Sequence, residues 1–400
     1  MSLKSISRDR AQRRQHLKLL TNVVLIVLVS TAAAYVITKP VGGTGFNPSA
    51  AVLRALRAHG GDQAGAAGKP NGSPVANGDS IAAASGSPNY TSGYKLQPGP
   101  FKVAEVGDIV LHDARRNKDV HMRIFYPEGA GQFPVIVFSH GAGGSQNCCE
   151  ELTQHWASYG YVTIQPTHDD SATQRRNAGE ENVRFMQAVR DALKQPALWE
   201  SRPQDISFVL DSLGELQKRV AGLSGKIDER HVGVGGHSMG SFTAEAVAGA
   251  TVDLLGKVAT SFADPRVKAA LALSPQGPGQ FGLTQTSFQS LRIPFLGVTG
   301  SQDSLGPLAN VAWHEKPYDL SPAGDKYFLN IAGANHMSFI TARAASFGRG
   351  QQAPEILDYT NSAALAFWDA YLKHDSSGRE YLRSENMQTF SKGAAKLESR

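Results

Sequence analysis

The chain has 400 residues, 41% hydrophobic and 19% charged, a composition that excludes a disordered or fibrous protein and fits one large or two medium globular domains. Its formal net charge of +5 sits wholly in residues 1–18, where Lys4, Arg8, Arg10, Arg13, Arg14 and Lys18 face only Asp9; the rest is balanced, so the basic character gives no reason to expect a nucleic-acid partner. Cys148 and Cys149 are the only cysteines and are adjacent, which excludes a disulfide framework or a cysteine zinc site and reads as two small side chains at the start of a helix.

After this basic leader come twenty uncharged residues, Leu19 to Thr38. As a helix rising about 1.5 Å per residue, they match the thickness of a bilayer core. The positive flank predicts that the leader stays in the cytoplasm and the remainder crosses. The run reads either as an uncleaved transmembrane anchor, which its length favours, or as an export signal. Arg13-Arg14-Gln15-His16-Leu17-Lys18 resembles a twin-arginine signal, and Ala32-Ala33-Ala34 offers a cleavage site. Both readings place the body outside the cytoplasm, on the periplasmic side in a bacterium. Residues 39–100 are rich in Gly, Ala, Ser and Pro, with no aromatic between Phe46 and Tyr90, and read as a flexible linker. A catalytic domain is expected over 101–375 and a C-terminal tail over 376–400.

Within that domain short apolar runs alternate with amphipathic stretches. Strands are expected at Asp108–Leu111, Val120–Phe125 and Pro134–Phe138, then a helix at Glu150–Ser158 and a strand at Tyr161–Gln165. Helices at Glu181–Lys194 and Pro203–Val220 precede a strand at His231–Gly235 and a helix at Gly240–Ala248. Strands at Val267–Leu273, Pro294–Val298 and Tyr327–Ile331 lead to a last helix at Asn361–Leu372. This alternation predicts an α/β fold: a mostly parallel, doubly wound sheet with helices on both faces and antiparallel opening strands. Residues 169–202 are longer and more polar than a strand-to-helix link needs, which leaves open a cap over the site or a surface insertion.

The sharpest chemical signal is Gly236-His237-Ser238-Met239-Gly240, directly after an apolar strand and before an Ala-rich helix. That context marks a nucleophile elbow, in which a strand turning sharply into a helix presents the serine hydroxyl above the sheet. Upstream, the strand Pro134–Phe138 runs into Ser139-His140-Gly141-Ala142-Gly143-Gly144. Acyl transfer needs two backbone N–H groups aimed at the oxyanion; Met239 supplies one, and this loop the other, through Ala142 or, second, Gly141. No Lys-Ser/Thr follows the glycines, so a phosphate cradle is the weaker reading. The order Ser, acid, His leaves His314, His336 and His374 as bases. His336 is preferred because it lies in Gly333-Ala334-Asn335-His336-Met337, a small-residue loop just after a strand. No metal or organic cofactor is required.

The Gly-His-Ser-Met-Gly elbow, the Phe-Ser-His-Gly loop, Gly160-Tyr161-Val162-Thr163 and Asp228-Glu229-Arg230 resemble the α/β-hydrolase branch that joins cutinase-like polyester hydrolases, platelet-activating-factor acetylhydrolases, chlorophyllases and dienelactone-hydrolase-like proteins. The resemblance covers about 101–375. It implies the α/β-hydrolase fold and hydrolysis of carboxylic esters, short-acyl or lipid-like, through an acyl-enzyme. Two departures stand out: the nucleophile is Ser238 where dienelactone hydrolases use cysteine, and Ala142 stands where polyester hydrolases generally carry an aromatic residue. The family divides over its acid. Where one group places it, after Ala270-Leu271-Ala272-Leu273, this chain has Ser274, which carries no charge; the next strand leads to Asp303, the chosen acid, with Asp264 as its rival on the opposite sheet edge. Lipid acetylhydrolase and thioesterase are the alternative activities, and a tethered binding protein on a dead scaffold is the alternative from another class. The expected partners are a small-molecule or lipid ester and, through the N-terminal segment, a membrane.

Overall fold

The computed structural model describes residues 93–304, 309–340 and 353–400. The expected leader, the apolar segment 19–38 and the linker as far as residue 92 lie outside the described residues. No helix among the described residues is long and apolar enough to cross a membrane.

The chain enters as β1 (Lys102–Asp113), β2 (Lys118–Glu128) and β3 (Phe133–Ser139), followed by α1 (Glu150–Ser158) and β4 (Val162–Thr167). Four helices come next: α2 (Ala172–Asn177), α3 (Phe185–Lys194), α4 (Pro196–Asp211) and α5 (Leu213–Arg219). Then come β5 (Ile227–His237), α6 (Met239–Val247), the hairpin β6 (Thr251–Leu254) and β7 (Lys257–Ser261), β8 (Val267–Leu273) and β9 (Phe295–Gln302). Short α7 (Val311–His314) and α8 (Lys316–Leu320) precede β10 (Lys326–Asn335), α9 (Ala353–Leu372), α10 (Ser376–Arg383), α11 (Asn386–Phe390) and β11 (Ala395–Ser399).

Nine strands form one sheet in the order β1-β2-β4-β3-β5-β8-β9-β10-β11. The run from β4 to β10 is parallel, and β1, β2 and β11 join it antiparallel. This is the α/β-hydrolase fold expected from the sequence. The period of two explains why β3 is apolar from Phe133 to Phe138. Val135 and Val137 pack with Ile206 and Val209 of α4 and Phe242 of α6 on one face; Ile136 and Phe138 pack with Trp156 of α1 and Trp368 of α9 on the other. At the sheet centre a Cβ on Gly233 would come within 2.6 Å of the Trp368 ring.

Both expected domain edges move outward. Tyr94, assigned to the flexible linker, is 1% exposed; its hydroxyl donates to Asp369 Oδ2 at 3.1 Å, while Tyr161 donates to Oδ1 of the same buried carboxylate at 2.6 Å. Lys95 and Lys373 complete the ion pairing of Asp369. The segment 376–400, expected as a tail, supplies α10, α11 and the strand β11, which pairs with β10 from Tyr327↔Ser399 to Ile331↔Ala395. Composition hides both: Tyr94 lies in a polar stretch rich in Gly and Ser, and β11 is a short polar edge strand. Pro203, expected as a helix start, lies inside α4, which starts instead with Pro196 at its first turn.

A chain beginning at Phe101 should therefore be less stable than one beginning at Asn89. Loss of the Tyr94 ring from the core should cost about 3 kcal/mol or more. Thermal denaturation of the two chains checks this; equal midpoints would return Tyr94 to the linker.

Candidate active site

β5 passes into α6 through Ser238 alone, whose backbone lies at φ 58° and ψ −120°. A positive φ is costly for a residue with a Cβ and persists only where its surroundings enforce it. Here the enforcement is close packing: a Cβ on Gly236 would strike the Gly240 carbonyl, and one on Gly240 would strike the Ser139 carbonyl. The turn is tied to β8 by the Ser238 N–H and the Ser241 hydroxyl, which donate to the Leu273 carbonyl at 2.9 Å and 2.6 Å.

His336 follows β10 directly. Its Nε2 is 2.9 Å from Ser238 Oγ and its Nδ1 is 3.0 Å from Asp303 Oδ1. A carboxylate only accepts, so Nδ1 carries the proton and Nε2 is left as the acceptor for the Ser238 hydroxyl. The loop holding the ring is braced twice. His237 Nε2 donates to the His336 carbonyl at 2.8 Å, and Asn335 Oδ1 accepts from the Met337 N–H at 2.9 Å.

Asp303 lies one residue beyond β9 and is 1% exposed. Burial alone would raise its pKa, but the charge on His336, its hydrogen bond to the carboxylate and the nearby His314 ring hold it well below the usual carboxylate range. Oδ2 also accepts from the Ser274 hydroxyl at 2.6 Å and the Thr299 hydroxyl at 3.0 Å. Ser274, at φ 57° at the end of β8, thus faces the same carboxylate that the next strand delivers. Sequence reasoning set Ser274 aside for lacking charge and missed it as a hydrogen-bond donor to the acid.

The rejected candidates are accounted for. His314 is buried behind Asp303, its Nε2 3.3 Å from Oδ1, an ion-pair distance too poorly aligned for a good hydrogen bond, while Nδ1 donates to the Pro275 carbonyl at 2.6 Å. His374 packs against the His231 ring. Asp264 pairs with Arg266 at 2.6 Å and precedes β8, whose seven residues separate it from Ser274 by about 3.3 Å each.

The glycine-rich loop lies beside the serine: a Cβ on Gly141 would be 3.4 Å from Ser238 Cβ. Among the described residues no acceptor meets the Ala142 N–H, whereas the Gly143 N–H donates to Asp170 Oδ2 at 2.8 Å. Met239, at the first position of α6, has no acceptor one turn back within the helix. Among the described residues no acceptor meets the N–H of either Ala142 or Met239, the two expected oxyanion donors.

A second Ser-His-Asp row, which the sequence analysis missed, lies directly beneath this loop. Ser139 Oγ is 2.8 Å from His168 Nε2, and His168 Nδ1 is 2.8 Å from Asp205 Oδ2. All three side chains are fully buried, whereas His336 is 17% exposed, so only the Ser238 row meets solvent. A sequence signal existed: Ser139 ends β3, His168 directly follows β4, and those strands are parallel neighbours.

The segment 169–202 is built into the site's flank. Asp170 and Arg202, near its two ends, form a buried bidentate pair at 2.9 Å and 2.8 Å. α3 places Phe185, 46% exposed, so that a Cβ on Gly143 would be 3.2 Å from its ring. The cysteines are free, with Cys149 capping α1 as expected, although at a left-handed φ of 59°. Among the described residues no cluster of side chains could hold a metal ion.

Residues 94–265 match the family described as Chlorophyllase, a span that includes the glycine-rich loop and the Ser238 turn and stops before Asp303 and His336. A 49-residue stretch is 41% identical to part of a Schizosaccharomyces pombe protein provisionally named a phospholipase A2. That match covers 12% of this chain and 11% of the yeast protein, about a tenth of either length.

Three buried histidines near the site favour their neutral form. Burial, reinforced by the Arg202 charge, lowers His140 from 6.5 to about 4 and takes His168 well down; burial and the His336 charge lower His237 to about 3. The unfolded chain protonates these rings near 6.5 and the folded one does not, so stability is complete above 6.5 and falls as pH drops toward 4 and 3. Each ring contributes up to about 1.4 kcal/mol per pH unit in that window. Thermal midpoints should thus decline between pH 6.5 and 4, before most carboxylates titrate; a flat profile there would mean that these rings are not buried neutral.

Proposed function

We propose that this chain, which has the α/β-hydrolase fold, is a serine esterase that cleaves carboxylic esters. One observation carries the reading: Ser238 Oγ, His336 and Asp303 form a continuous hydrogen-bonded row on a strained strand-to-helix turn, with 2.9 Å and 3.0 Å links. In this reading His336 Nε2 takes the Ser238 proton as Oγ attacks the ester carbonyl. The Met239 and Ala142 N–H groups stabilise the oxyanion, and the alcohol leaves with the proton from His336. Water, activated by the same ring, then attacks the acyl-enzyme and releases the acid. Asp303 holds the tautomer and offsets the charge that develops on the ring. No step calls on a metal or cofactor.

The substrate class is a short-acyl or lipid-like ester. The half-exposed Phe185 ring beside the oxyanion loop supports an apolar substituent, as does the short likeness to a protein named a phospholipase. Lipid acetylhydrolysis and thioester hydrolysis are neighbouring activities of the same machinery. The reading extends to location: the basic residues 1–18 before the apolar stretch 19–38 support an N-terminal anchor or export signal with the catalytic domain outside the cytoplasm. Protease accessibility in spheroplasts tests it, and full protection would place the domain inside.

Ser238→Ala should lower turnover on p-nitrophenyl esters by about 10⁴-fold or more without unfolding the protein. Asp303→Asn should cost about 10²–10⁴-fold, as expected when the orienting charge is removed. Asp264→Asn should leave turnover nearly intact. Wild-type activity on acyl esters, with fluorophosphonate labelling at Ser238, is the expected result. Absence of both would turn the reading toward a binding protein, and preference for thioesters would redirect it to a thioesterase.

A further inference from the structure

The two ends of the 169–202 segment meet under the glycine-rich loop, and what they hold there is its backbone. Arg202, 1% exposed, donates through Nη1 to the His140 carbonyl at 2.7 Å and through Nη2 to the Gly141 carbonyl at 3.3 Å. Its Nε and Nη2 also engage Asp170 Oδ1 and Oδ2 at 2.9 Å and 2.8 Å. Asp170 Oδ2 in turn accepts the Gly143 N–H at 2.8 Å, and the Gly143 carbonyl accepts from the Ala172 N–H at 3.1 Å.

A peptide unit is planar and trans, so its C=O and N–H point in opposite directions. The Gly141 carbonyl and the Ala142 N–H belong to one unit, and the His140 carbonyl and the Gly141 N–H to another. Drawing both carbonyls toward the guanidinium turns both N–H groups the other way. Gly143 is excluded as a donor because Asp170 already takes its proton. The fork of Arg202 suits this task, since a planar guanidinium can grip two carbonyls and a bidentate carboxylate together, which a lysine ammonium cannot.

Hydrogen bonds tie the clasp to a buried network around it. His140 is fixed as a neutral ring, with Nδ1 donating to the Gly141 carbonyl at 2.6 Å and Nε2 accepting from the His168 N–H at 3.0 Å. His168 donates to Asp205 and accepts from the Ser139 hydroxyl, to which Arg202 Nη1 also reaches at 3.3 Å. Asp205 pairs further with Arg116 and Lys118 at 2.7 Å and 2.9 Å.

We propose that Arg202, locked by Asp170, is a positioning residue that aims the Ala142 N–H at the oxyanion of the ester reaction. The inference rests on the esterase reading and names how its oxyanion site is set before substrate arrives. Preorganised donors act on the transition state more than on bound substrate, so loss of aim should appear in kcat and not in KM.

The test uses the full chain and the variants Arg202→Lys, Arg202→Gln and Asp170→Asn; the last keeps the side-chain shape if the arginine variants fold poorly. Active sites are first counted by fluorophosphonate titration, so that kcat is expressed per working serine. Kinetics on a p-nitrophenyl ester are then compared with inhibition by an alkyl trifluoromethyl ketone, which forms a tetrahedral oxyanion on Ser238. The expected result is a fall in kcat of about 10–100-fold per titrated site, part of the effect of deleting an oxyanion donor. KM should be nearly unchanged, and ketone affinity should fall by a similar factor. Variants with fewer working sites and lower melting points, but wild-type kcat per site and ketone affinity, would reduce the clasp to a fold stabiliser and overturn the proposal. A wild-type protein that neither labels nor hydrolyses esters would instead overturn the esterase reading, and this proposal with it.

Discussion

Between β5 and α6 the chain reverses through a single residue at positive φ, and it can do so because backbone packs on backbone there with no side chain between. The Gly236 Cα faces the Gly240 carbonyl and the Gly240 Cα faces the Ser139 carbonyl. Every other part of the site takes its position from that contact. It brings the end of β3, and therefore the glycine-rich loop, against the serine. It also directs the Ser238 N–H and Ser241 hydroxyl to the end of β8, where Ser274 and the Asp303 carboxylate meet. A methyl group at either glycine would push apart the elements that carry Ser238, the glycine-rich loop and Asp303.

The two Ser-His-Asp rows show how environment separates chemistry from architecture. Each has the same donor logic, with the aspartate fixing Nδ1–H and leaving Nε2 for a serine hydroxyl. The Ser139 row is sealed, its imidazole driven far toward the neutral form by burial and by the Arg202 charge. All three of its side chains are fully buried and hydrogen-bonded to one another, so it acts as a rigid floor. The Ser238 row has a partly exposed ring, and an acid held ionised by several donors is ready to balance an imidazolium. One residue-type pattern thus occurs twice, partly exposed at the turn after β5 and fully buried beneath the glycine-rich loop.

Local patterns carried much of the design into the sequence. The helix Glu150–Ser158 and the strand Val267–Leu273 are read to their ends from periodicity, because each has a clear burial pattern and a sharp boundary. Ser238, Asp303 and His336 are legible because the fold orders them along the chain and each follows a strand's carboxyl end. The failures have a common cause. Tyr94 and β11 are held by contacts with distant residues, and Pro203 is buried inside α4 where local composition marks a helix start. The β6–β7 hairpin is likewise invisible to periodicity, with Leu255 and Val258 exposed at 93% and 83%.

By itself the sequence determined the α/β class and the strained turn at Ser238, and it singled out Asp303 and His336, which the fold brings into one hydrogen-bonded row with that serine, because turn sterics, strand burial and chain order act over a few residues. Only the tertiary structure decided what surrounds them. Ser274 as a donor to Asp303, His314 behind the same carboxylate, and Arg202 under the oxyanion loop depend on residues 29, 11 and 62 positions away from their partners. Such pairings follow from strand order and from the path of the 169–202 segment, neither of which is written in any local pattern. The physical reason is that a hydrogen bond constrains direction and distance in space, whereas periodicity constrains only which side of its own element a residue faces.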